Sequence, residues 1–299
     1  MQILLLGKNG QLGWELQRAL APLGRLIALD RHGDGELCGD LEQPEALAAT
    51  VRRIRPDVIV NASAYTAVDK AETDTERARM VNATAPAMLA HEAAAAGAWL
   101  VHYSTDYVFD GSGDQPRDES APTSPLNAYG RTKLEGEQLI AASGCQHLTF
   151  RTSWVFAARG GNFAKTMLRL AGERDALSVI DDQVGAPTGA ELLADVTAHA
   201  LRMARAQPRV SGLYHAAAGG QTSWHGYARH VIEWARERGH PVRVPPDAIK
   251  PIPATAYPLP APRPLNSRLD TRRLRETFGL ELPAWERGVE RMLEEVLAR

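Results

Sequence analysis

A phenol and an amine four residues apart, Tyr129 and Lys133, are the side chains of this sequence best suited to moving a proton. The run that follows, Leu134-Glu135-Gly136-Glu137-Gln138-Leu139-Ile140, has helical spacing, and a separation of four puts both groups on one helix face. An isolated phenol titrates near ~10, and a cation within a few ångströms lowers that by roughly 1–3 units, toward the range useful at neutral pH. Alone, such a pair is more often two ordinary solvated side chains. It gains meaning beside Ser104-Thr105-Asp106, two hydroxyls and a carboxyl at the end of the apolar run Trp99-Leu100-Val101-His102-Tyr103. That run reads as a buried strand, and open α/β sheets hold ligands at the carboxyl ends of their strands.

A second constellation lies at the amino terminus. An apolar run from Gln2 to Leu6 leads into Gly7-Lys8-Asn9-Gly10-Gln11-Leu12-Gly13, and a helical pattern follows through Leu16, Leu20 and Leu23. Strand, glycine turn and helix in that order let a backbone approach a pyrophosphate, held by free N–H groups and the positive end of the helix. Gly7, Gly10 and Gly13, with Gln11 and Leu12 between them, form the expected phosphate loop. Asp30 ends the next apolar run some twenty residues on, where an acid bonds an adenosine ribose. Arg31 follows it and could receive a 2′-phosphate, so both NADH and NADPH stay open. Asp40 and Leu41 could contact adenine, although an Asp there is more often only the cap of the following helix. Ala62, Ser63 and Ala64, after the apolar run from Asp57 to Val60, and Tyr103 complete the expected cofactor contacts.

The elements needed to position these groups follow from the rest of the chain. Its 299 residues suffice for a substantial core. Strands and helices alternate as far as Arg151, which predicts an α/β fold, a Rossmann-type doubly wound and mainly parallel sheet. Residues 1–152 would form the dinucleotide-binding part. The chain returns to it at about 190–218, leaving 153–189 and 219–299 as a smaller, discontinuous substrate-binding domain. One long helix is expected at about 74–96. Prolines crowd 241–265 and predict an extended surface strap before terminal helices starting near Thr271 and Pro283. A formal charge of −2, from 34 basic and 36 acidic residues without a polybasic block, argues against nucleic acid and anionic membrane as partners. No run is apolar enough to span a bilayer and the first residues lack a signal-peptide pattern, so a soluble, cytoplasmic protein is expected. Cys38 and Cys145 have neither disulfide nor zinc spacing.

Together these residues resemble the extended short-chain dehydrogenase/reductases, and within them the dTDP-4-dehydrorhamnose reductases. The matching segments are Gly7 to Gly13, Asn61 to Glu72, Ser104 to Gly111, Tyr129 to Lys133, Arg151 to Phe156, Asp182 to Thr188 and Arg263 to Ser267. The resemblance implies NAD(P)H-dependent reduction of the 4-keto group of dTDP-4-dehydro-L-rhamnose, a step toward cell-surface polysaccharide precursors such as the O-antigen of lipopolysaccharide. It implies Tyr129 as proton donor, Lys133 as the group that binds nicotinamide ribose and tunes the phenol, and Thr105 as the residue that orients the ketone. Thr105 stands where the superfamily usually has a serine, so Ser104 is the other candidate. Asp106 and Trp154 would touch the sugar, and Asn162, Phe163, Arg263 and Asn266 its nucleotide and diphosphate. The resemblance also implies magnesium, for which Glu15, Glu191 and Glu295 are scattered candidates away from Tyr129, and it leaves the oligomeric state open, a homodimer included. Two other functions share these features: a nucleotide-sugar epimerase or dehydratase with retained NAD, and a non-catalytic subunit like the regulatory partner of methionine adenosyltransferase.

Overall fold

Six strands form one parallel sheet in the computed structural model, which describes residues 1–298. They are β1 (Gln2–Leu6), β2 (Arg25–Leu29), β3 (Val58–Asn61), β4 (Trp99–Thr105), β5 (Gln146–Thr152) and a sixth, Gly212–His215. Their spatial order is Gly212–His215, β5, β4, β3, β1, β2, and every pairing is parallel. The chain leaves β1 for β2 on one side and then crosses to β3 on the other. The order therefore reverses between β1 and β3, where a crevice opens at the carboxyl ends of the strands.

Burial on both faces explains why these strands are continuous apolar runs. Ile3 and Leu5 join Leu16 and Leu20 of helix Gln11–Leu20 and Leu193 and Leu201 of helix Ala190–Ala206 in one core. Leu4 and Leu6 join Leu47 and Val51 of helix Pro44–Ile54 and Leu89 and Ala93 of helix Ala85–Ala96 in the other. A strand with one face in water would have alternated. A third apolar core lies apart from the sheet, built from helices Phe163–Glu173, Trp224–Glu237 and Trp285–Leu297 around Tyr227 and Val231. Leu192 packs against both this core and the first.

Two elements differ from their expected form. The helix read at 74–96 is interrupted by a π-helical turn, Met80–Thr84, between Thr75–Arg79 and Ala85–Ala96. The Asn82 side chain in that turn binds the backbone of Tyr65 at both N–H and C=O, which fixes the loop after β3. The proline-rich strap is not wholly extended surface chain either. Ile249–Ile252 pairs in parallel with Leu177–Ile180, flanked by 3₁₀ turns Pro246–Ala248 and Ala254–Ala256.

Candidate active site

The crevice is a cleft of about 800 Å³ lined from the ends of β1, β3, β4 and β5. Helix Ala128–Ala142 carries Tyr129 in its first turn, and that turn is fixed from both sides. Asn127 accepts the Gly130 N–H at 2.8 Å and donates to the Pro262 carbonyl, while the Ala128 N–H donates to Glu72 at 2.7 Å. Tyr129 shares a hydrogen bond with Thr105, whose hydroxyl donates to Asp106 at 3.0 Å and accepts from the Tyr107 N–H. Burial pushes the Asp106 carboxyl up to about 6 against the pull of hydrogen bonds from Ser267 and Thr105. Its Oδ2, like Ser104 Oγ and Thr152 Oγ1, is buried without a partner.

Lys133 is 1 % exposed, one turn beyond Tyr129. Its Nζ donates to the Tyr103 carbonyl at 2.6 Å and lies 3.3 Å from His102 Nε2. Burial lowers its pKa to about 8, and Glu137 one turn further on offsets part of that. Glu137 is itself held by Arg151 through two hydrogen bonds of 2.9 and 2.6 Å. The expected lowering of the phenol by Lys133 does not appear. The amine is turned to Tyr103 and His102, burial dominates at the phenol, and Tyr129 is pushed up to about 12. The phenol is therefore firmly protonated at neutral pH.

The amino-terminal loop forms the other end of the cleft. Gly7 has φ +88°, and a Cβ there would come within 2.6 Å of Ser63 Oγ. Gly10 caps helix Gln11–Leu20 without a side-chain bond to the first-turn N–H groups, and no acidic residue occupies that turn. Gly7, Gly10, Gln11 and Leu12 line the cleft together with Asp40, Leu41, Ala62, Ser63, Ala64 and Tyr103. A helix start with free N–H groups and a glycine cradle fits a dinucleotide pyrophosphate. Arg31 lies at the far end beside Glu42, at 3.2 Å.

The comparisons with known proteins point one way. Residues 1–298 match the family model described as the RmlD substrate binding domain. A dTDP-4-dehydrorhamnose reductase of Salmonella typhimurium is 58% identical over 296 residues, covering 99% of this chain and 98% of that protein. This chain belongs to the dTDP-4-dehydrorhamnose reductase family. Among solved structures, the family member from Clostridium acetobutylicum is 34% identical with a TM-score of 0.88, covering 99% of this chain and all of that one. The member from Bacillus anthracis, solved in complex with NADP, is 33% identical with a TM-score of 0.86 over 99% of this chain and 100% of its own.

Within this reductase fold, several residues expected at the ligand lie outside the cleft lining. Gly13 serves the packing of helix on loop, since a Cβ there would fall 1.9 Å from the Gly7 carbonyl oxygen. Asp30 holds Asn9 at 2.5 Å and the His32 N–H at 2.9 Å. Asn162 caps helix Phe163–Glu173, and Phe163 stands against Trp224 and Tyr227 in the third core. Arg263 grips Asp69 and reaches Tyr107, so it touches the cleft only through that ring. Asn266 is 2 % exposed, and its amide is consumed by the Ser112 and Gln115 carbonyls. Trp154 does line the cleft, at a left-handed φ of +49°, with its ring stacked 3.7 Å from Trp224. Trp224 and Tyr107 were not expected there. Trp224 follows the helix cap Ser223, and only tertiary stacking brings it to the site.

Glu15, Glu191 and Glu295 come together away from that cleft, around a second cavity of about 290 Å³. Burial raises the Glu15 carboxyl, and Glu191 and Glu295 add to the effect against Arg18. Arg18 spans Glu15, Glu191 and Asp195, and Arg291 lies 2.9 Å from Glu191. The donor type suits a hard divalent cation. The spacing does not: among the described residues no three His, Cys, Asp or Glu side chains converge closely enough to hold a metal ion.

Proposed function

We propose that this protein catalyses NAD(P)H-dependent reduction of the 4-keto group of dTDP-4-dehydro-L-rhamnose to dTDP-L-rhamnose. The observation that carries the reading is a single cleft with the glycine cradle at one end and Tyr129, Thr105 and Lys133 at the other. When bound, the reduced nicotinamide supplies the hydride. Tyr129, protonated at neutral pH, donates its phenolic proton to the oxygen of the reduced ketone. Thr105 fixes the phenol and orients that oxygen, and Asp106 holds Thr105. Lys133 binds the nicotinamide ribose from the floor of the cleft. Gly7, Gly10, Gln11 and Leu12 hold the pyrophosphate, and Arg31 faces the adenosine end, where it can take a 2′-phosphate. Trp154, backed by Trp224, forms a wall for the sugar. Residues 153–189 and 219–299 supply the substrate-binding part, in the cytoplasm.

The test is the absorbance of added NADPH or NADH with dTDP-4-dehydro-L-rhamnose. One equivalent of reduced cofactor should disappear per sugar. Turnover of the sugar without consumption would mark an enzyme with retained NAD, and no ketone reduction at all would mark a binding subunit. Competing the two cofactors in one assay gives the preference. Tyr129→Phe should cut turnover by roughly 10²–10⁴ while leaving cofactor affinity nearly unchanged. Unchanged turnover removes Tyr129 from the mechanism.

A further inference from the structure

Behind Lys133 lies a chain of buried polar groups that the reduction does not itself require. The Ser63 N–H donates to Asn61 Oδ1 at 3.1 Å. That bond orients the amide, so Asn61 Nδ2 is the atom facing His102 Nδ1, at 3.2 Å. Nδ2 has only hydrogens to offer, and Nδ1 must accept. His102 is wholly buried on β4 and holds no charge of its own: desolvation, the largest influence on it, pushes its pKa well below the ordinary value. A neutral ring that accepts on Nδ1 carries its hydrogen on Nε2. Nε2 lies 3.3 Å from Lys133 Nζ, and that N–H can be received only by a lone pair, which an ammonium lacks. This set of orientations is that of an uncharged Lys133 amine.

A charged Lys133 reverses the chain. The ammonium donates to Nε2, the ring hydrogen sits on Nδ1, and Asn61 must turn Oδ1 toward it. The Ser63 N–H then loses its acceptor. One proton enters from the cleft and none leaves: Nζ goes from two hydrogens to three, and the ring keeps one, relocated from Nε2 to Nδ1. Ser63 and Lys133 both line the cleft, so a ligand that accepts the Ser63 N–H stabilises the charged form.

We propose that His102 is a positioning residue that couples the charge on Lys133 to the Ser63 N–H, through the tautomer of its ring and the orientation of Asn61. The proposal rests on the reading that NAD(P)H occupies this cleft. Filling the cleft then promotes the charged Lys133, and by reciprocity a charged Lys133 tightens cofactor binding. The other ionisable groups around Lys133 do not supply this link. Glu137, paired with Arg151, favours the ammonium whether or not the cleft is filled, and Tyr129 and Asp106 stand on the substrate side.

Imidazole ¹⁵N shifts of the unaltered protein test it directly, with His102→Gln used only to assign the signals. Across about pH 6 to about pH 10, cofactor-free protein should pass from the Nδ1–H to the Nε2–H tautomer of His102 as Lys133 loses its proton near about 8. Saturating NADP⁺ should move that midpoint upward by about one unit, equivalent to ~tenfold tighter cofactor binding at the acid end of the range. One tautomer throughout, or a midpoint indifferent to bound NADP⁺, overturns the inference. Failure of NADP⁺ to bind, read by calorimetry on the same sample, would instead overturn the reductase reading beneath it.

Discussion

Asp106 shows what the site costs the fold. The carboxyl sits at the end of β4, 2 % exposed, and rises from its ordinary 3.8 to about 6 because burial outweighs its two hydroxyl partners. With the folded value above the unfolded one, the native state holds a proton that the unfolded chain has lost between about 4 and about 6. Stability therefore falls as pH rises through that window and stays reduced above it. Asp106→Asn keeps the shape and removes the charge. It should stabilise the protein at pH 8 by up to about 3 kcal/mol, with the gain fading toward pH 4, while turnover falls. Urea unfolding at the two pH values checks the sign, and equal stabilities at both would show that the carboxylate carries no such penalty.

At the scale of elements, the π turn Met80–Thr84 ties two parts of the site together. Asn82 binds both backbone groups of Tyr65 and donates to Thr132 at 3.2 Å, on the helix that carries Tyr129 and Lys133. Asn82→Ala leaves the Tyr65 N–H and C=O without their partner and should cost roughly 1–3 kcal/mol for each buried group left unsatisfied. The melting temperature should drop and the Michaelis constant for cofactor rise, because the loop after β3 carries Ser63 and Ala64. A melting temperature equal to that of the parent protein would refute this. Sequence could not announce the π turn, since one extra residue leaves the apolar spacing of 74–96 almost intact. Local pattern did reveal what is set locally: glycines between strand and helix, Tyr129 and Lys133 on one helix face, hydroxyls at a strand end. It failed where partners are remote. Ile249–Ile252 finds Leu177–Ile180 far along the chain, and the Asn266 amide, which the family resemblance directs to the ligand, is met here by the Ser112 and Gln115 carbonyls. Asp30 likewise stands at the expected position, but the loop beside it takes its carboxylate.

At the scale of the whole molecule, three carboxylates gathered from three helices invite a question of assembly. Within one chain Glu15, Glu191 and Glu295 repel one another around a cavity and form no ligand set. A divalent ion there would draw further oxygens from a second copy and would take no part in proton transfer, which belongs to the other cleft. If such an ion bridges two copies, EDTA should shift the sedimentation profile before it changes the initial rate per intact assembly. Loss of rate with the assembly unaltered would defeat that view. The sheet has its own history of assembly. Gly212–His215 covers the free edge of β5, whose Leu148 and Phe150 are wholly buried in the finished protein. On the ribosome that covering strand does not exist until 153–211 have been synthesised. For that interval β5 presents unpaired N–H and C=O groups along an apolar margin, the feature by which sheets join the wrong chain. A nascent chain paused in that stretch is thus left with β5 as its exposed sheet margin, a place that the shorter strand Gly212–His215 takes over once it is made.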